Sequence, residues 1–198
     1  REFGNPFVVA HALARGPHFL SHVGALSFHD LLLQPSNVVH VSVPKQRPPL
    51  EIGPTTFAFV PIPRAGFWGF ENSWVTATDA VPVSDVQRTL VDACWRPDLC
   101  GGITQVATAF WQARRKLDPK RLVAYVRKFG KKVVAKRVGF LAEALGVAAT
   151  LAPSLLKYLG GTRPYSLIDP TLPPDGRFNS RWGLRLNVTA EEIVAATK

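Results

Sequence analysis

Eleven cationic side chains crowd one stretch of 24 residues: Arg114, Arg115, Lys116, Lys120, Arg121, Arg127, Lys128, Lys131, Lys132, Lys136 and Arg137, with Asp118 the only carboxylate among them. Guanidinium and ammonium groups in that density make and break no bonds by themselves. They bind phosphate or carboxylate oxygens, and in the absence of interleaved acids they bind them together. The chain has 24 Lys and Arg against 14 Asp and Glu, so thirteen of each remain outside the stretch and cancel. The formal charge of +10 is therefore local, and it points to a negatively charged partner: nucleic acid or an acidic protein surface. These eleven residues are the candidate binding set.

Three other groupings have the residue types for chemistry. All five histidines fall in the first forty residues, and His18, His22 and His29 at spacings of four and seven would share one side of a helix. A metal shell would need a further carboxylate or thiolate, and only Asp30 is near, so no metal and no cofactor is expected. Pro97-Asp98 followed by Asp118-Pro119-Lys120 imitates a metal-nuclease signature. That chemistry needs its Asp-x-Lys on a strand, whereas Asp118-Pro119 reads as a helix cap and first turn, so no catalytic residue is assigned. Asp85, Arg88 and Asp92, at helical spacing, read as intrahelical ion pairs. Phosphate-loop, dinucleotide and nucleophile-elbow motifs are absent. Cys94 and Cys100 are too few for a disulfide framework; free thiols are expected, with a local disulfide as the alternative.

These side chains need elements to hold them. Asn5-Pro6 opens a helix over 5–15, closed by Gly16-Pro17, and a second helix is expected over 19–33. VVHVSV and TFAFVPI alternate as strands on either side of the loop KQRPPLEIGP, and short aromatic segments between 66 and 83 read as further strands. Ser84 and Gln87 form a capping-box pattern before Val86, Leu90 and Val91. Helices then follow at 102–116, 119–129, 131–145 and 153–159, and WGLRLNV is a returning strand after the turn Pro173-Pro174-Asp175-Gly176.

On 119–129 the apolar side is Leu122, Val123, Val126 and Phe129, with the cations outward. On the next helix Val134, Val138, Leu141 and Leu145 face inward, with Lys132 and Lys136 expected outside. The fold class is α+β: a helix pair and small mixed or antiparallel sheet over 1–83, then a helical bundle with a C-terminal strand over 84–198. Helix, Gly130, helix outlines a helix-turn-helix, but no base-reading set starts the second helix, so phosphate-backbone contacts are expected.

No apolar run approaches the length needed to cross a bilayer, and the chain is read as cytoplasmic. Met is absent throughout, position 1 included, which implies sequence upstream; Arg1-Glu2-Phe3 are set aside from the fold.

Four stretches in order, HFLSHVGALSFHDLLLQP, VPVSDVQRTLVDACWRPDLCGG, LVAYVRKFGKKVVAKRVGFLAEALG and FNSRWGLRLNV, resemble the AbiEi antitoxins of AbiE-type (type IV) toxin–antitoxin systems. The resemblance runs over roughly residues 5–188. It implies a non-enzymatic antitoxin that counters a nucleotidyltransferase-like toxin and, in complete form, a DNA-binding repressor of its own operon through an N-terminal winged helix-turn-helix. That winged helix does not precede Asn5 here. The partners implied are the cognate toxin and operator DNA, which makes the eleven cations a nucleic-acid or toxin-binding set. The alternative function is a metal-dependent nuclease-like or general nucleic-acid-binding protein. The front half also resembles proteins ending in a Vsr-like endonuclease domain, an ending this chain lacks.

Overall fold

The computed structural model describes residues 4–148, 150–161 and 164–198, so Arg1-Glu2-Phe3 lie outside it. The fold is α+β. The chain divides into two compact units, Arg1–Thr89 and Leu90–Lys198.

In the first unit, helix α1 (Pro6–Ala14) starts where Asn5 Oδ1 accepts the Phe7 N–H at 2.9 Å, and Pro6 gives up an amide that would be unpaired anyway. The helix expected over 19–33 begins later and is shorter. Phe19–Ser21 is instead strand β1, and helix α2 runs only over His22–Phe28, after a left-handed His22 (φ 48°) turns the chain. All three β1 residues are buried and laddered to strands far along the chain, a gain that outweighs local helix preference.

Strands β2 (Val38–Val43) and β4 (Thr55–Pro61) form where the two alternating segments were expected as strands, and the structure pairs them in parallel. Part of the intervening loop is strand β3 (Leu50–Ile52), folded onto β4 by a tight turn at Gly53 (φ 59°). Strands β5 (Phe70–Trp74) and β6 (Ala80–Ser84) form an antiparallel hairpin. The six-stranded mixed sheet has the order β3-β4-β2-β1-β6-β5, over a core that includes Ala10, Leu20, Val41, Phe57, Phe59 and Val83.

Helix α3 (Val86–Trp95) is capped one residue later than the sequence indicated. Asp85 Oδ1, not the Ser84 hydroxyl, accepts the Arg88 N–H at 2.8 Å. Ser84 still belongs to β6, opposite Phe70, and its hydroxyl donates to Leu20 O at 3.2 Å.

The second unit holds α4 (Ile103–Ala113), α5 (Pro119–Phe129), α6 (Lys132–Ala144), α7 (Leu151–Leu159) and α8 (Ala190–Ala195). The returning strand is one of three: β7 (Ser166–Leu167), β8 (Arg177–Asn179) and β9 (Leu184–Leu186), in the order β7-β9-β8. Helix α6 is central, packed by α4, α5, α7 and α8, and every residue from 134 to 142 is buried. Gly139 is required there, because a Cβ would lie 2.1 Å from the ring of Trp182, whose Nε1 donates to Glu143 Oε2 at 2.6 Å. Among the described residues no helix is long and apolar enough to cross a membrane.

Candidate cationic interface

Helix α5 is built by local code. Asp118 Oδ1 accepts the Arg121 N–H at 3.1 Å, Pro119 takes the first position, and Gly130 (φ 78°) ends the helix. Leu122 and Val126 are fully buried while Val123 and Phe129 are half-buried. That anchoring turns Lys120, Arg121, Arg127 and Lys128 to solvent. The only acid of the stretch is thereby occupied with a helix amide.

The turn before α5 adds exposed Arg114, Arg115 and Lys116, the guanidinium of Arg114 lying 4.2 Å from the centre of the Trp111 ring. The start of α6 adds exposed Lys131 and Lys132. Lys132 donates to Tyr158 O and stands 3.6 Å over the Tyr158 ring, and Arg127 Nη2 donates to Ser154 O at 3.3 Å, so α7 steadies both. Helix α7 contains no acid and contributes exposed Lys157. Between α5 and the start of α7 runs an open groove of about 590 Å³ whose polar lining is Lys120, Arg127, Thr150, Ser154 and Asp118, the carboxylate that caps α5. Cations and hydroxyls on such a groove suit phosphate or carboxylate oxygens.

Two members of the predicted set do not belong to this surface. Lys136, expected on the outside of its helix, is 3% exposed, and its ammonium donates to Pro164 O and, at 3.2 Å, to Ser166 Oγ. Arg137 is 5% exposed. Its Nη1 donates to Cys94 O at 2.8 Å and its Nη2 to Leu167 O at 2.9 Å. The reason is that α6 is covered on all sides from Val134 to Ala142, so its second face is an interior one there, and the two cations satisfy carbonyl groups that regular structure leaves over. Burial pushes the Arg137 pKa down, and it pushes the Cys94 thiol up to about 12. Both cysteines are free and buried.

The remaining candidates have structural posts. His18 precedes β1, His22 opens α2, and His29 caps it and bonds Ser84 O at 2.7 Å, so the three do not line one helix. His18 Nε2 lies 2.9 Å from His11 Nδ1, and burial pulls its pKa down. Among the described residues no three His, Cys, Asp or Glu side chains gather to hold a metal. Asp98 sits in a short 3-10 turn, held by Arg96 through bonds of 2.6 to 3.1 Å, while Lys120 lies in the first turn of α5 behind the Asp118 cap.

Arg88, read as an ion-pair partner on its own helix, reaches further. It is buried, its Nη1 donates to Gly66 O at 2.9 Å and Trp68 O at 2.8 Å, and its guanidinium covers the Trp68 ring at 4.1 Å. Sequence reasoning missed Asp169 altogether. Its buried Oδ2 accepts the Ile103 N–H at 2.7 Å and so caps α4 from 66 residues away.

No family model matches the chain, and no curated protein does. Among solved structures, it is similar to the Rv2827c protein from Mycobacterium tuberculosis, with 13% identity, a TM-score of 0.68, and coverage of 92% of this chain and 68% of that one. The two share a fold.

Proposed function

We propose that this chain is the antitoxin region of an AbiE-type (type IV) system: a non-catalytic, cytoplasmic binding protein that counters a nucleotidyltransferase-like toxin and touches DNA through its phosphates. The four stretches that carry the resemblance span β1 and α2, β6 through α3, α5 with α6, and β8 with β9. The observation that carries the reading is the nine cations exposed from Arg114 to Lys132, whose only neighbouring acid in sequence is committed to capping α5. Such a surface gives affinity for polyanions that is indifferent to base sequence and steep in salt.

The test replaces Lys120, Arg121, Arg127 and Lys128 together by Glu in the full chain. Toxin rescue in co-expression, or retention of duplex DNA at low salt, is expected to be lost while the thermal melt stays as in the wild type. Unchanged rescue together with unchanged retention overturns the reading. Lys136 and Arg137 are left alone, because charge reversal at buried posts would unfold the protein and report nothing about binding.

A further inference from the structure

The two edges of the six-stranded sheet are unlike. Strand β3 at one edge has three residues and is preceded by Lys45, Arg47, Pro48 and Pro49, the charges and prolines that discourage further strand pairing. Strand β5 at the other edge, Phe70-Glu71-Asn72-Ser73-Trp74, has no proline and no cation, and four of its five residues are exposed, Trp74 by 70%. The hydrogen bonds at its two ends fix which backbone groups face outward. Val75 N–H donates to Asp79 O at 2.9 Å and Asp85 N–H donates to Gly69 O at 2.9 Å, so in the β5–β6 register residues 69, 71, 73 and 75 bond toward β6. Phe70, Asn72 and Trp74 therefore turn their N–H and C=O groups to the side on which no strand pairs among the described residues, while just beyond the strand Val75 O accepts from Asn5 Nδ2 at 3.0 Å. Pro82, lacking an N–H, lies opposite Asn72 at a pair where β5 demands none.

We propose that β5 is a homodimerisation edge, on which a second copy of this chain adds its own β5 antiparallel about a two-fold axis at Asn72. The outward groups are symmetric about that residue. Asn72 meets Asn72 of the second copy, and Phe70 meets Trp74 of the second copy on both sides of the axis, each pair exchanging both N–H···O=C bonds. Side chains 70, 72 and 74 share one sheet face, so the register also places two aromatic cross-strand pairs there. Phe70 is already stacked on Phe19, with centroids 4.8 Å apart and planes at 9°, and is held ready for a further ring. No like charges oppose each other, because Glu71 faces Ser73 of the second copy. The unit bearing this edge is formally neutral, with six basic and six acidic residues from position 1 to 89.

The full chain is studied by sedimentation equilibrium across concentration, at low and high salt. A monomer–dimer equilibrium that survives high salt is expected, since backbone bonds and aromatic contacts are little screened and the edge's one charge, Glu71, is repelled less by its counterpart in salt. Asn72→Pro, which removes an outward N–H and none used by β6, and Trp74→Lys are each expected to weaken it at least about tenfold. Should Asn72→Pro misfold, Trp74→Lys still decides. Asn72→Cys is expected to give a covalent dimer under mild oxidation, because residues paired on the axis have a Cα separation of about 5.5 Å, within disulfide reach. Glu71→Cys, off the axis, is not, and the native thiols are buried. A chain that stays monomeric at every concentration, or an Asn72→Cys variant that cross-links no better than Glu71→Cys, overturns the proposal; capture of a heterologous strand by a monomeric chain would do so too.

Discussion

The two units spend their cations differently. Residues 1–89 carry six basic and six acidic side chains, whereas residues 90–198 hold the other eighteen basic and eight acidic ones, and with them the whole +10. Yet each unit buries arginine for the same purpose. Arg88 gathers the carbonyls of Gly66 and Trp68 in the first, and Arg137 those of Cys94 and Leu167 in the second. Such residues engage carbonyls of loops, of a helix's last turn and of a strand edge, whose acceptors would otherwise be dry. The cationic surface is what remains in the second unit once these fasteners are subtracted. A count of basic residues is therefore not a count of binding residues, and Lys136 and Arg137 show the error within one helix.

The division between fasteners and surface can be broken by substitution. Arg137→Leu has the largest expected effect on stability. It leaves buried carbonyls unpartnered and should cost about 3 kcal/mol in urea unfolding. Cys94 supplies an independent readout. Its thiol, pushed up to about 12 by burial against the lowering effect of the Arg137 charge, stays protonated and sheltered in the native chain, so alkylation at mildly alkaline pH is expected to be slow there. Loss of the Arg137 charge alone would slow it further, so faster alkylation in Arg137→Leu reports opening of the site. Asp118→Ala removes the cap of α5 and should cost about 1 kcal/mol, seen as a lower urea midpoint. Arg121→Glu, on the exposed face, is expected to leave stability within about 0.5 kcal/mol while lowering retention on duplex DNA and the steepness of its salt dependence. If Arg121→Glu destabilises as much as Arg137→Leu, the distinction fails.

Helix α5 was legible because its instructions are adjacent: Asp118-Pro119 to start, Gly130 to stop, and an apolar stripe to set which side faces water. Helix α6 carried the same kind of stripe and misled. The warning lay on its other side, where Ala135, Gly139 and Ala142 fall at helical spacing; small residues there admit a close neighbour, and Trp182 takes that place over Gly139. Strand β1 was hidden for a different reason. Three residues cannot declare a period, and Phe19–Ser21 become a strand only through partners about twenty and sixty positions away. The cap of α3 slipped by one because β6 claims Ser84 for its ladder, leaving Asp85 to receive the amide.

What the sequence determined by itself was the location of the charge excess, the ends of its locally encoded helices and the alternation of its longer strands, since each depends on neighbours within a turn or two. Which cations meet solvent was left to the tertiary structure. A side chain is buried by whatever packs over it, and the carbonyls that hold Lys136 and Arg137 come from Pro164, Cys94 and Leu167, roughly thirty to forty residues away in the chain.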